Sequence, residues 1–350
     1  MAALVFQPQL MIGQGWHDYR LIDSGHGRKL ERYGQFQFIR PDPQALWTPR
    51  LERWRAEGEF VPGSDEDGGG RWQFAAPVPS EGWPLARGEV KFTAQCTPFR
   101  HLGFFPDMAP VWDWLGAQYQ YPPRSGEGDR PQDGGGGSPL NVAPADSPHH
   151  PSLRERSPSP ERGGFSSLNL FGYTGLGSLA LSEYGPVTHV DASKKAVAQA
   201  RLNAELSGMD SRPIRWIVDD AAKFTARELR RGKRYDGIIL DPPKFGRGPE
   251  GEVWRLEEHL PGLLADCRAL LDADSKFLFL TVYAVRMSSL ALAGLMDELF
   301  KDLPGTIEHG DLAVQEEVLR QAQDDRVEGR LLPTAIFARW SNDGGENGLV

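Results

Sequence analysis

The stretch that decides the fold runs from residue 165 to residue 193 and reads FSSLNLFGYTGLGSLALSEYGPVTHVDAS. An apolar run at 168–171 is followed by a glycine-rich turn, a short apolar segment that ends near Gly185, and a second apolar run at 187–190. Strand, turn, helix and strand in this order predict a β-α-β unit with parallel strands.

The same alternation continues to about residue 342. Further strands are predicted at 214–218, 237–240 and 277–282, and further helices at 193–208, 219–231, 255–272 and 287–302. Strands that alternate with helices of this length predict an α/β fold, an open and mostly parallel sheet with helices on both faces. Two late strands, near 306–315 and 332–340, have no helix between them and predict an antiparallel edge strand.

The chain before residue 165 has a different composition. Residues 1–108 contain short alternating runs bounded by Gly and Pro, which predict a smaller β-rich N-terminal domain, and 109–121 is expected to be a connecting helix. Residues 122–164 hold nine Pro, eight Gly and six Ser and no aromatic residue, so we expect a disordered insert that folding does not need. Residues 343–350 are expected to form a disordered tail.

Composition and charge exclude several classes of protein. No apolar run is long enough to span a membrane, and Cys96 and Cys267 give neither a disulfide framework nor metal-ligand spacing, so we expect a cytoplasmic protein without metal. The net charge of −9 argues against binding of nucleic acid by bulk electrostatics. Residues 20–55 are locally basic, either as a solvated face or as an RNA-binding one, and the tryptophans before residue 115 either pack or stack on bases.

The carboxyl ends of four predicted strands carry the candidate site, because ligands of open α/β sheets bind there. The residues at these ends are Phe171, Gly172, Tyr173, Thr174 and Gly175; Asp191, Ala192 and Ser193; Asp219 and Asp220; and Asp241, Pro242, Pro243 and Lys244. The segment Gly175-Leu-Gly-Ser-Leu-Ala180, which starts at the end of the first group, also fits the dinucleotide-binding pattern G-x-G-x-x-A, and a tight turn without a ligand is the other alternative. The carboxylates are candidates for ribose and adenine contacts or for helix caps.

The sequence Asp-Pro-Pro-Lys-Phe at 241–245 does not suit a nicotinamide site. Consecutive prolines make a stiff loop that presents carbonyl groups, and an acid and carbonyls beside an aromatic ring suit a planar nitrogenous group. Here the chain resembles class I S-adenosylmethionine-dependent methyltransferases, and most closely the ribosomal RNA large-subunit methyltransferase group. The motifs that carry the resemblance are Asn169-Leu-Phe-Gly-Tyr-Thr-Gly175, Val190-Asp-Ala-Ser-Lys-Lys-Ala196, Asp219-Asp220 and Asp241-Pro-Pro-Lys-Phe-Gly-Arg-Gly248.

The resemblance implies a Rossmann-like fold, S-adenosylmethionine as cofactor and a role for each motif. Residues 171–175 would wrap the methionine part of the cofactor. Asp191, with Ala192 and Ser193, would bind the ribose, and Asp220 or Asp219 would bind the adenine amino group. Residues 241–244 would face the methyl acceptor, with Phe245 and Arg247 on the substrate. The upstream segment 100–108 looks like one that this group places over the cofactor, which adds Phe105 and Asp107. We expect a valine at position 175 to fill the space that the methionine needs.

One departure from the family concerns the acceptor. Relatives that methylate carbon-5 of cytosine use a Cys near the end of the fifth strand, where residues 280–286 here contain none. This departure favours transfer to nitrogen or oxygen, and the resemblance implies a base in ribosomal RNA as the substrate. An NAD-dependent oxidoreductase and a non-catalytic RNA-binding module are the alternatives.

Overall fold

The computed structural model describes residues 1–63, 69–120, 165–283, 285–317 and 329–342. The predicted insert at 122–164 and the predicted tail at 343–350 lie outside these residues. Within the described part of the chain, no helix is both long enough and apolar enough to cross a membrane.

The described residues form eighteen strands and six α-helices. The strands of the first third are β1 (Ala2–Leu4), β2 (Gln9–Gly13), β3 (Tyr19–Gly25), β4 (Arg28–Tyr33), β5 (Phe36–Pro41), β6 (Gly58–Pro62), β7 (Gly70–Phe74), β8 (Trp83–Arg87) and β9 (Val90–Ala94). The later strands are β10 (Ser167–Leu170), β11 (Val187–Asp191), β12 (Ile214–Val218), β13 (Gly237–Leu240), β14 (Phe245–Arg247), β15 (Val253–Arg255), β16 (Phe277–Tyr283), β17 (Gly305–Gln315) and β18 (Leu331–Ser341). The helices are α1 (Ala109–Gln120), α2 (Leu176–Leu181), α3 (Lys194–Leu206), α4 (Ala221–Arg230), α5 (Leu256–Ala269) and α6 (Ser289–Leu299), and a 3₁₀ turn covers Pro106–Met108.

Nine strands form one large sheet. Their order is β12, β11, β10, β13, β16, β18 and β17, with β1 and β2 both paired to the outer side of β17. Every neighbouring pair is parallel except β16–β18 and β17–β18. This arrangement confirms the predicted Rossmann-like, mostly parallel α/β class. The chain runs outward from β10 to β12 and returns to β13, so the switch point, where a ligand is expected, lies between β10 and β13.

The reversed strand lies inside the sheet, whereas the sequence predicted it at the edge. The reversed strand is β18, and β17 covers its outer side over most of its length. With eleven residues, β17 is long enough to pair with β1 at one end and β2 at the other. These two short strands cover an edge that would otherwise expose unpaired backbone groups. The N-terminal unit predicted at 1–108 is therefore divided in space, because residues 2–13 belong largely to the large sheet.

The centre of the large sheet is buried on both faces. All four residues of β10 and all four of β13 are buried, as are six of the seven in β16. Helices α4, α5 and α6 contribute side chains such as Phe224, Leu264 and Met296 to the core on one face, while Leu115 and Leu181 of α1 and α2 belong to a second cluster. Strands covered on both faces read as continuous apolar runs, which explains why the sequence predicted them well.

The N-terminal part consists of a five-stranded sheet, β3 to β7, and the hairpin β8–β9. A buried carboxylate, Glu31, accepts two hydrogen bonds of 2.7 Å from the Arg40 guanidinium, one of 2.8 Å from Tyr19 and one of 3.1 Å from Tyr33. Burial alone would raise the pKa of Glu31, but Arg40 and then Lys29 outweigh it and hold that pKa well below its usual range. All ten tryptophans are buried or half-buried, which favours packing over base stacking.

Candidate active site

A strained loop, residues 171–175, joins β10 to α2. Phe171 and Tyr173 have φ angles of 57° and 48°, and Gly175 has a φ of 83°. For a residue with a side chain, this left-handed conformation costs roughly 1–2 kcal/mol, and such strain persists only where the surroundings hold it. The loop lies at the switch point, where binding sites of this sheet architecture are found.

Contacts from three directions hold the loop in this conformation. The Tyr173 N–H donates to Asp191 Oδ2 over 2.9 Å. The Thr174 hydroxyl donates to the Gly103 carbonyl over 2.7 Å, and the Thr174 carbonyl accepts from Asn203 Nδ2 over 2.9 Å. The Tyr173 hydroxyl lies 3.0 Å from His101 Nδ1. The segment before α1 therefore closes over the loop.

Two of the predicted glycines are needed for packing beneath the loop. A Cβ on Gly172 would lie 2.4 Å from His189 Nδ1, and a Cβ on Gly175 would lie 2.7 Å from Ala200 Cβ and 3.2 Å from Trp216. The expectation that a side chain at position 175 would enter the cofactor space is therefore wrong, because it points into α3. By contrast, Gly177 lines the pocket, and a Cβ there would lie 3.5 Å from Trp112.

A pocket opens between this loop, the end of β13 and the segment before α1. Of the predicted site residues, it brings together Phe105, residues 171–174 and Asp241. The other lining residues are Phe104, Met108, Trp112, Asn169, Leu176, Gly177 and Ile239. The sequence analysis did not single these out as site residues: Asn169 stood in the quoted motif without an assigned role, and Met108 and Trp112 resemble core positions.

Asp191 lies beside the loop at the end of β11. Its Oδ2 accepts from Tyr173 N–H, and its Oδ1 accepts from Ser193 N–H over 2.8 Å. Burial raises the pKa of Asp191, although both backbone hydrogen bonds oppose that shift. Since a carboxylate has about four acceptor positions, it keeps capacity for ligand hydroxyl groups. Ser193 caps α3, because its hydroxyl oxygen accepts the Ala196 N–H over 3.2 Å. Ala192 lies between Asp191 and Ser193 in the sequence.

Asp219 and Asp220 lie away from the pocket wall. Asp220 Oδ1 accepts from the Lys223 N–H over 2.9 Å and is the N-cap of α4. Asp219 forms an ion pair with Arg227 and accepts the Asp220 N–H over 2.9 Å. Asp220 thus has the role that the capping alternative expects, whereas Asp219 is used in an ion pair, and an adenine contact of either residue stays a prediction.

Asp241 follows β13 and forms part of the pocket wall. The Thr281 hydroxyl donates to its Oδ1 over 2.7 Å. Burial raises the pKa of Asp241 to about 7; the Thr281 hydrogen bond opposes this shift, and the charge of Asp107 adds to it. At neutral pH the pKa of this carboxyl group therefore lies close to the surrounding pH.

The rest of the Asp-Pro-Pro-Lys motif forms a fixed loop. Pro242 is buried, and the Pro243 carbonyl accepts from Trp254 Nε1 over 2.7 Å. The Lys244 carbonyl accepts from a backbone N–H at the start of α5, while its side chain is exposed. Phe245, 39% exposed, begins the hairpin β14–β15, which also carries the exposed Arg247.

Asp107 differs most from its expected place. It is buried outside the pocket wall, where its Oδ2 accepts from the Tyr283 hydroxyl over 2.9 Å and from the Thr334 hydroxyl over 2.5 Å. Phe105, its neighbour in sequence, lines the pocket with its ring centroid 5.1 Å from that of Tyr283. A cofactor contact of Asp107 stays a prediction, and no sequence pattern indicated its partners Tyr283 and Thr334.

Known proteins resemble the chain over almost its whole length. A crystal structure of an S-adenosylmethionine-dependent methyltransferase from Agrobacterium tumefaciens is 38% identical, has a TM-score of 0.78, and matches 97% of this chain and 95% of its own. The chain belongs to the S-adenosylmethionine-dependent methyltransferases. A solved structure assigned as a methyltransferase and complexed with S-adenosylhomocysteine shares the fold, at 14% identity and a TM-score of 0.59, over 93% of this chain and 76% of its own.

A curated relative adds a narrower likeness. The ribosomal RNA large subunit methyltransferase I of Aeromonas salmonicida is 31% identical over 177 residues, which are 49% of this chain and 42% of that protein. The chain therefore spans less than half the length of this relative. No family model matches the chain.

S-adenosylmethionine is the cofactor of this methyltransferase, and the pocket fits it. Glycine at 177 leaves open the space that a Cβ would fill beside Trp112, Asp191 keeps acceptor capacity for hydroxyl groups, and Phe105 and Phe171 supply apolar walls. Within the described ranges, no group of three His, Cys, Asp or Glu side chains is arranged to hold a metal ion.

Proposed function

We propose that this methyltransferase modifies a base of ribosomal RNA in the cytoplasm, and that the acceptor atom is a nitrogen. The observation that carries the proposal is the Asp-Pro-Pro-Lys motif, whose Asp241 carboxylate stands in the wall of the pocket that fits the methyl donor. The name of the Aeromonas relative supports ribosomal RNA as the substrate class. Neither the oxidoreductase nor the RNA-binding module is favoured by the similar proteins.

The work of the protein is alignment. The bound donor supplies an electrophilic methyl group on a sulfonium that is already a good leaving group. Holding the two reactants in line can then supply about 7–11 kcal/mol of the barrier lowering. In this proposal, Asp191 and the loop 171–175 hold the donor, while Asp241 and the carbonyls of the Pro-Pro turn hold the base.

Phe245 and Arg247 are proposed to bind RNA outside the pocket. Both lie on the hairpin that follows the motif, both are exposed, and Lys244 beside them is exposed as well. An aromatic ring can stack on a base at ~1–3 kcal/mol, and cationic side chains bind phosphates. In the basic stretch 20–55, by contrast, several cations are already paired with carboxylates, such as Lys29 with Asp42 and Arg40 with Glu31.

The cysteines argue for nitrogen over carbon-5 of cytosine. The chain has two, and neither Cys96 nor Cys267 lines the pocket. Burial raises the pKa of Cys96 to about 12 and raises that of Cys267 as well, so both thiols stay protonated. Because the thiolate is the nucleophilic form, covalent attack on a pyrimidine ring has no suitable group here.

The test is transfer of an isotopically labelled methyl group to RNA from a strain that lacks the gene. Ribosomal RNA and transfer RNA from that strain are offered separately, and the products are digested to nucleosides and identified by mass spectrometry. We expect label in an N-methylated nucleoside of ribosomal RNA and none with Asp241→Asn protein. Label in 5-methylcytidine, or in transfer RNA alone, would contradict the proposal.

A further inference from the structure

Two residues on the same face of one strand each hold a carboxylate. Thr281 and Tyr283 stand two positions apart at the carboxyl end of β16, so their side chains leave the same face of the sheet. The Thr281 hydroxyl donates to Asp241 over 2.7 Å, and the Tyr283 hydroxyl donates to Asp107 over 2.9 Å. This strand end therefore holds one carboxylate through each of the two residues, and the charge of Asp107 acts on Asp241.

The side-chain donors to these carboxylates within the described residues are neutral hydroxyl groups. In the described part of the chain, neither Asp107 nor Asp241 forms an ion pair, and the third donor is the Thr334 hydroxyl on β18. The other titratable groups that face them are Lys29 on β4, Tyr283 and Tyr33. Lys29 acts on Asp107 at a distance. Burial raises the pKa values of Tyr283 and Tyr33 well above the usual tyrosine value, so both stay neutral. Because no cation contacts either carboxylate directly, the two like charges cannot both stay ionised at low cost.

We propose that Asp241 and Asp107 form a carboxylate pair that accepts the proton released when the substrate nitrogen is methylated. This inference rests on the proposed function. As the nitrogen–carbon bond forms and the carbon–sulfur bond breaks, the bonding pair stays on sulfur, and the N–H proton passes to an Asp241 oxygen. Asp241 lines the pocket and is the catalytic member. Asp107 lies outside the pocket wall and is a positioning residue that sets the proton affinity of Asp241.

The pairing explains why two acids are needed. An isolated aspartate, with a pKa near 3.9, is a weak base, whereas a general base works best when its pKa lies close to the working pH. The negative charge of Asp107 raises the pKa of Asp241, and the Thr281 hydrogen bond lowers it. Removing each partner should therefore shift proton uptake in opposite directions, which a merely structural role would not do.

The first experiment measures single-turnover methyl transfer from pH 5 to pH 9. The parent rate should rise with pH and level off near 7, because Asp241 must lose its proton to act as a base. Asp107→Asn should move this inflection to lower pH, and the near-isosteric Thr281→Val should move it to higher pH. Asp113→Asn, an exposed carboxylate on α1, is the matched control and should keep the parent profile.

The second experiment does not need a substrate. Infrared spectra of the S-adenosylhomocysteine complex should contain the carbonyl stretch of a protonated carboxyl group that titrates near pH 7, is absent in Asp241→Asn, and titrates at lower pH in Asp107→Asn. If the band titrates as expected in all three proteins while no RNA is methylated, the carboxylate pair is confirmed and the proposed RNA substrate is wrong. If RNA is methylated with a flat profile and no band titrates near neutrality, or if Asp107→Asn leaves the titration unchanged, the pair is overturned.

Discussion

Replacing Gly175 by alanine tests how the strained loop is built. The structure places the new methyl group against α3, 2.7 Å from Ala200 Cβ and 3.2 Å from Trp216, and not in the pocket. The φ of 83° at this position is also one that residues with a side chain rarely adopt. Gly175→Ala should therefore act first on stability, and on cofactor binding only through the loop.

The expected loss is the sum of two effects. An L-residue in the left-handed region costs about 1–2 kcal/mol. Overpacking a close contact costs about 1–3 kcal/mol more. A total of about 2–5 kcal/mol leaves a protein of ordinary stability folded and lowers its Tm by roughly 5–15 °C for a domain of this size.

A second variant isolates the steric part. Ala200→Gly removes the methyl group that Gly175→Ala would strike, although a glycine within α3 itself costs ~1 kcal/mol. Chemical denaturation of the parent, both single variants and the double variant should show that the double variant loses at least 1 kcal/mol less than the sum of the single ones. A Gly175→Ala protein with the parent Tm and weakened S-adenosylhomocysteine binding would refute the reasoning, since its methyl group would then lie in the pocket.

Three further predictions concern other residues. Asp191→Ala should weaken S-adenosylhomocysteine binding about ten- to a hundredfold by calorimetry, because charge-assisted hydrogen bonds of ~1.5–3 kcal/mol are lost; an unchanged Kd would exclude Asp191 from the site. Because the pKa of Glu31 is lowered in the folded state, the ionised Glu31 stabilises the fold fully above pH 4.5, and this stabilisation is lost as the pH falls below that value. Glu31→Gln should therefore be less stable than the parent at pH 7, and its Tm should depend less on pH between 5 and 3. Parallel Tm curves of the two proteins would contradict this. Trp254→Phe loses the hydrogen bond to Pro243 and should slow single-turnover transfer while leaving S-adenosylhomocysteine affinity unchanged; a parent rate would show that this bond does not position the turn.

The central strands could be predicted from sequence because burial on both faces leaves continuous apolar runs, as at 237–240 and 277–282. The edge could not be predicted, since β1 has only three residues and β2 only five, and only the eleven-residue length of β17 makes room for both. Pairing between residues 2–13 and 305–314 joins opposite ends of the chain, and no local pattern encodes it.

Part of the candidate site followed from motifs, and part did not. The loop after β10 and the residue after β13 could be located because strand ends meet at the switch point. The direction in which a Cβ on a glycine would point could not be predicted, so a side chain at position 175 was expected in the cofactor space and not against Ala200. Asp107 was expected on the cofactor, but its partners Tyr283 and Thr334 come from distant strands that meet it only in the folded chain.

The most direct test of the methyltransferase account is single-turnover methylation by Asp241→Ala protein, measured on ribosomal RNA from a strain that lacks the gene. The Tm with and without S-adenosylhomocysteine is recorded on the same preparation. Since Asp241 stands in the pocket wall and is proposed to orient the acceptor, we expect the ligand-induced rise in Tm to persist and the rate to fall by ~10³-fold or more. A stable variant that binds S-adenosylhomocysteine and still methylates RNA at close to the parent rate would contradict the account.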